Sequence, residues 1–197
     1  MATNVYTFHV TYEGLEDKIW RDIEVSSNYR LAQLGYAVLA AFDTLAYHLF
    51  HFTYKNGKFV LPSDEFDEEN EMDVAIFKLG QLDIHIGDQM EMTYDYGTEQ
   101  IFTLTLTAIQ PMGKGQGKRY PQIVSGAGCG IIDDMHWTKL KELIEQIDQN
   151  GKTTEPVYYN ERLKPWDYRD FDMEYWKYLF KGTVERIEEG YAPFWEW

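Results

Sequence analysis

The chain has 197 residues, 44% of them hydrophobic and 16% aromatic, which is enough apolar material for a packed core and excludes disorder of the whole chain. Its 18 Lys and Arg stand against 33 Asp and Glu, a formal charge of −15. Duplex nucleic acid and anionic membrane are therefore poor partners for the surface as a whole.

The first residues, MATNVYTFHV, lack a basic region followed by an apolar block, and no stretch approaches the roughly 18 apolar residues of a spanning helix, so a soluble protein is expected. Residues 5–12 alternate Tyr6, Phe8, Val10 and Tyr12 with Thr7, His9 and Thr11, the period of a strand with one buried face. After the turn EGLED, residues 19–25 set Ile19, Ile23 and Val25 against Trp20, Asp22 and Glu24, completing an antiparallel hairpin. Ser27 or Asn28 is the expected cap of a helix that carries Leu31, Leu34, Val38, Leu39 and Phe42 on one face and ends near Asp43. Residues 48–55 and 58–61 read as strands joined by a type I′ turn at Asn56-Gly57, so the opening is ββαββ.

Residues 63–73 hold seven carboxylates in eleven positions, whose mutual repulsion favours an extended, solvated loop. Met90, Met92, Tyr94 and Tyr96 then alternate with Glu91, Thr93 and Asp95 in a strand, Gly97-Thr98 reverses the chain, and residues 101–109 alternate Phe102, Leu104, Leu106 and Ala108 with threonines. MGKGQGK at 112–118 is a locally basic, glycine-rich loop. Asp133 or Asp134 is the expected cap of a helix with Trp137, Leu140, Leu143, Ile144 and Ile147 on one face, stopped by Asn150-Gly151. Residues 152–170, with Pro156 and Pro165, look irregular. Asp170 or Asp172 opens a last helix through Met173, Trp176, Phe180, Val184 and Ile187 to about Gly190, followed by the aromatic tail YAPFWEW. No repeat or linker divides the chain. The expected architecture is one α+β domain over 1–197, a mainly antiparallel sheet with helices packed on one side or end, its core at about 4–150 and the last helix and tail packed on it.

Motifs that carry chemistry are sparse. Gly126-Ala127-Gly128-Cys129-Gly130 precedes a helix start, where free N–H groups favour anions, but Ile131 breaks the dinucleotide fingerprint and Lys118 follows Gly113 at the wrong spacing for a phosphate loop. A close approach of backbone is the simpler role for these glycines. The single Cys129 excludes an internal disulfide and a zinc–thiolate cluster, suits a reducing cytoplasmic compartment, and reads as a small buried hydrophobe more than a nucleophile paired with His136. His48 and His51 lie three apart on a predicted strand, which points them to opposite faces and prevents a shared metal ion. The acidic run lacks the glycine and spacing of an EF-hand, so no metal and no cofactor are expected. Aromatic residues such as Tyr94, Tyr96, Tyr158 and Trp166 lack the positive groove that a nucleic-acid platform needs.

The succession YTFHVTYEGLEDKIWRDIEV, a helix, AYHLFHFTYKNGKFV, an acidic loop, IGDQMEMTYDYG and a glycine-rich segment ending in two acids resembles the plasmid pRiA4b ORF-3-like family, whose members are often labelled passenger proteins of an insertion element. The likeness covers about residues 4–148, with FDMEYW at 171–176 similar to the family's end. The family's Y-D-F-G-D-x-W-x-H stretch stands here as Tyr94-Asp95-Tyr96-Gly97-Thr98-Glu99-Gln100-Ile101-Phe102, and its C-P-P-E-D-x-G-G stretch as residues 130–137, where Asp133-Asp134 keep the acidic pair. Thr98, Gln100 and Phe102 replace Asp, Trp and His. The resemblance implies an α+β fold related to the β-grasp and brings no established reaction.

Two functions are consistent with these residues. The first is a non-enzymatic binding or adaptor protein of bacterial or mobile-element type, whose acidic field steers a basic protein partner and whose contact residues are Phe194, Trp195 and Trp197. The second is a small-molecule enzyme or sensor, with a pocket between Tyr94, Asp95, Tyr96 and Gly97 on one side and Gly126, Gly128, Asp133 and Asp134 on the other. Asp95 is also placed to close an Asx turn at the end of its strand.

Overall fold

In the computed structural model, described over residues 3–61, 67, 69–159 and 164–192, eight strands form one sheet. In chain order they are β1 (Asn4–Tyr12), β2 (Trp20–Ser26), β3 (Phe50–Tyr54), β4 (Gly57–Val60), β5 (Met72–Asp73), β6 (Gln89–Tyr94), β7 (Gln100–Pro111) and β8 (Gln122–Ala127). The helices are α1 (Leu31–Ala41), α2 (Trp137–Asn150) and α3 (Met173–Tyr191). The sheet order is β5-β4-β3-β6-β7-β1-β2-β8, and each pair is antiparallel except β4 with β5. A mostly antiparallel sheet with three helices is an α+β fold.

The alternation read from the sequence decides which way each strand faces. Phe8, Val10 and Tyr12 of β1, Ile23 and Val25 of β2, and Phe102, Leu104 and Leu106 of β7 are buried in one core cluster, while Thr7, His9, Thr103 and Thr105 between them are half-exposed. Helix α1 is buried at every residue except Gln33, and α3 contributes Trp176, Phe180, Val184, Ile187 and Tyr191 to the same cluster. Leu140, Leu143, Ile144 and Ile147 attach α2 to it.

The elements differ from expectation where local geometry outweighs pattern. Helix α1 starts three residues after Asn28, at Leu31, because residues 26–29 form a turn in which Tyr29 N–H donates to Ser26 O. The β3–β4 hairpin pairs Tyr54 with Gly57, so its central residues are Lys55-Asn56 rather than Asn56-Gly57, and positive φ falls on Lys55 (52°). Strand β8 lies in a stretch for which the sequence pattern predicts no element. Its burial pattern is irregular and gives no period of two, but it pairs along β2 as an edge strand. The cap of α2 is His136, whose ring accepts from Thr138 N–H, and not either aspartate; Gly151 at φ 78° stops it. Asp172 caps α3 by accepting from the Glu174 and Tyr175 N–H groups. Residues 63–66 and 68 of the acidic run lie outside the described residues, and the end of the run pairs as β5.

An arginine occupies the centre of one interface. Arg21, fully buried on β2, donates Nε to Ala41 O (2.9 Å) at the end of α1, Nη1 to Trp20 O and Ala127 O, and Nη2 to Gly128 O (2.8 Å). Its guanidinium lies 4.3 Å from the Phe171 ring centroid and 4.7 Å from that of Trp176. Burial lowers its pKa to about 9, which leaves it charged at neutral pH. Gly128, at φ 74°, can approach because a Cβ there would sit 2.3 Å from Lys18 O.

Candidate functional site

Three segments distant in sequence meet at one end of the sheet. Tyr47-His48 lies on the link from α1 to β3, Tyr94-Asp95 ends β6, and Asp133-Asp134 follows β8 before α2. Ala46, Asp95 and Asp134 all have φ between 55° and 59°, and aspartate tolerates this left-handed region better than most residues. Such conformations persist where surrounding contacts enforce them.

The buried centre of the junction is Asp133. Its Oδ2 accepts from Leu45 N–H (2.9 Å) and its Oδ1 from the Tyr94 hydroxyl (2.8 Å), and Tyr94 Oη in turn accepts from Tyr47 N–H (3.3 Å). Burial pushes the Asp133 carboxyl up from the ordinary carboxylate range despite these bonds. Burial first, and then the charge of Asp133, also push the Tyr94 hydroxyl up, so it remains a donor.

Asp95 closes the turn after β6. Its Oδ1 accepts from Gly97 N–H (3.1 Å), its Oδ2 from the Thr98 hydroxyl, and its backbone carbonyl from Glu99 N–H (2.7 Å). That is an Asx turn with additional supports. Asp134 is exposed; its Oδ2 accepts from the Tyr47 hydroxyl and its Oδ1 lies 2.9 Å from His48 Nε2. The Tyr47 hydroxyl bond, followed by His48, holds the Asp134 carboxyl below its ordinary range. His48 Nε2 is also 3.7 Å from Asp95 Oδ2, and the Tyr191 hydroxyl at the end of α3 donates to His48 O, fixing the backbone beneath the ring.

Of the residues singled out in the sequence, Tyr94, Asp95, Asp133 and Asp134 converge, and Gly97 forms part of the Asp95 turn. Tyr96 points elsewhere, with its ring centroid 5.3 Å from that of His51. Gly126 and Gly128 lie around Arg21, where a Cβ on Gly126 would be 2.8 Å from Arg21 Cδ. Phe194, Trp195 and Trp197 lie outside the described residues. His48 and Tyr47 were missed as site residues. The strand expected over 48–55 sets His48 on the face opposite to His51, whereas β3 begins at Phe50, two residues after His48. The only signal for them in the sequence is that both stand in the segment AYHLFHFTY.

The family model for plasmid pRiA4b ORF-3-like proteins matches residues 4–175. The chain belongs to that family. Its fold is shared with a protein of unknown function from Methanosarcina mazei Go1, at TM-score 0.66 and 23% identity over 77% of this chain and 85% of the other; at that identity the likeness shows the fold alone. No curated protein matches the chain. The Tyr94–Asp133 hydrogen bond joins residues 94–102 to residues 130–137, both within the matched span. Among the described residues, no helix is long and apolar enough to cross a membrane.

Proposed function

We propose that this protein binds a small polar ligand at the junction of Tyr47-His48, Tyr94-Asp95 and Asp133-Asp134, as an enzyme or sensor. The observation that carries the reading is convergence: carboxylates from two separate segments and an imidazole from a third approach one another, although Asp95 and Asp133 are each about 5–8% exposed and gain nothing from solvent there. Concentrating like charges at partial burial opposes folding, and it recurs at sites kept for binding or chemistry. A thermal-shift screen of small molecules tests the reading. A ligand at 100 times its Kd stabilises by about 2.7 kcal/mol, and His48→Ala abolishes that stabilisation. The reading fails if no compound shifts the wild type, or if every shift survives in His48→Ala.

A second reading, an acidic adaptor for a basic protein, has the outer face of α3 in its favour, where Tyr175, Tyr178 and Leu179 are 53%, 84% and 39% exposed at i, i+3, i+4 spacing. Pull-down with wild type and with Tyr178→Ser/Leu179→Ser at low and high salt tests it; no partner lost with the double substitution means no adaptor face on α3. We also read β1–β2–α1–β3–β4 as a β-grasp-like opening, with β6 and β7 inserted between its two hairpins in the sheet.

A further inference from the structure

We propose that His48 Nε2, one carboxylate oxygen of Asp95 and one of Asp134 bind a single divalent first-row transition-metal ion. The inference rests on the ligand-binding reading above and names the class of occupant.

The geometry is that of a coordination shell. The three donor atoms lie within 4.8 Å of one another, with His48 Nε2 2.9 Å from Asp134 Oδ1 and 3.7 Å from Asp95 Oδ2. Ligands about 2.1 Å from a metal are separated by about 3.0 Å along an octahedral edge and about 3.4 Å along a tetrahedral one, so the side chains need only small adjustments. Each carboxylate is also held from behind, as ligands of metals generally are. Asp134 Oδ2 accepts from the Tyr47 hydroxyl while Oδ1 faces His48, and Asp95 Oδ1 accepts from Gly97 N–H while Oδ2, which also accepts from the Thr98 hydroxyl, faces His48.

A second observation is independent of the carboxylates. Gln100 is fully buried at the start of β7, and its Nε2 is 3.4 Å from Thr98 Oγ1, the hydroxyl that donates to Asp95, and 3.3 Å from Ile132 O. Among the described residues its Oε1 has no donor. The fully buried Tyr12 hydroxyl, held protonated by burial first and then by the charges of Glu13, Asp133 and Asp95, is likewise without a partner among the described residues. Orphaned polar atoms at full burial are costly, and Gln100 stands one hydroxyl away from Asp95, through Thr98. Charge points the same way, because among the described residues no lysine or arginine forms an ion pair with Asp95, Asp133 or Asp134.

The donor set decides the ion. One imidazole and two carboxylates, with no thiolate, suit Mn²⁺, Fe²⁺, Ni²⁺ or Zn²⁺, whereas Ca²⁺ takes six to eight oxygens and soft ions take sulfur. Three protein ligands leave coordination positions open, the pattern of metal sites that bind a further ligand. Asp134 and Tyr47 are exposed, which leaves the cluster open to solvent on their side.

The experiment is titration of the chelator-treated full chain with MnCl2, NiCl2, ZnCl2, CaCl2 and MgCl2, followed by calorimetry and, for Mn²⁺, by loss of the free-ion EPR signal. Wild type takes up about one equivalent of a transition ion and prefers it to Ca²⁺ and Mg²⁺. His48→Ala and Asp134→Asn each weaken that binding by at least about 100-fold, the upper end of what loss of an outer-shell partner costs, while keeping the wild-type circular dichroism; Asn at 134 retains the left-handed backbone. The inference is overturned if no transition ion binds, or if binding survives in both variants. If no transition ion binds but a small molecule stabilises wild type and not His48→Ala, the metal is overturned while the ligand-binding reading stands; if neither metal nor small molecule depends on His48, both fail.

Discussion

The Tyr94 hydroxyl donates to Asp133 Oδ1 across 2.8 Å, joining the end of β6 to the segment before α2 over 39 residues of sequence. Both side chains are buried, and the same hydroxyl accepts from Tyr47 N–H. One phenol therefore holds all three segments of the candidate site in register.

Tyr94→Phe removes that link while keeping the ring. Asp133 is left with the Leu45 N–H alone, and Tyr47 N–H loses its acceptor. The expected loss is about 1–3 kcal/mol in urea unfolding, together with weaker binding of whatever ligand the His48 cluster takes. A stability equal to wild type means that Asp133 has another donor.

At Asp95 the two parts of its role separate by substitution. Asparagine keeps a side-chain oxygen for Gly97 N–H and loses the charge, whereas alanine loses both. Asp95→Asn is expected to unfold near the wild-type urea midpoint and Asp95→Ala to lose about 1–2 kcal/mol. Equal losses in the two variants indicate that charge, not the turn, governs stability there.

Arg21 is the most demanding residue of the core. Arg21→Met deprives the carbonyls of Ala41, Trp20, Ala127 and Gly128 of their donors at once, and Arg21→Lys supplies a point charge in place of a fork. Both are expected to cost about 3 kcal/mol or more. Thermal unfolding measures it, and a methionine variant as stable as wild type would show that the carbonyls find other donors.

Stability near pH 4 has a contribution from Asp148. Its carboxyl is held below the ordinary range first by the Tyr168 hydroxyl and then by Lys18, whose Nζ lies 3.2 Å from Oδ2. A folded-state value below the unfolded one means the contribution is present in full above the unfolded value, about 3.9, and disappears as pH falls through the folded value. The gap in urea midpoint between wild type and Asp148→Asn is therefore expected to be small but measurable at pH 6, exposure keeping it small, and to close by pH 2–3. A gap that does not change with pH assigns the effect to packing.

The period-two runs at 5–12, 19–25 and 101–109, the apolar spacing of the helices, the stop at Gly151 and the cap at Asp172 are local properties. Each is decided by backbone geometry and by the need to bury one face, so the sequence alone determined the α+β class, the polarity of the strands and the family. Strand β8 was not legible because an edge strand beside Arg21 is held by pairing with β2 and carries no apolar alternation of its own. The site divides the same way. Tyr94, Asp95, Asp133 and Asp134 were visible as residues, but their meeting, and the arrival of His48, depend on β6 lying beside β3 and on α1 ending where Leu45 N–H reaches Asp133. Contacts across 39 to 88 residues are determined by which strands become neighbours, and that choice is made by packing of the whole core, which no local pattern encodes.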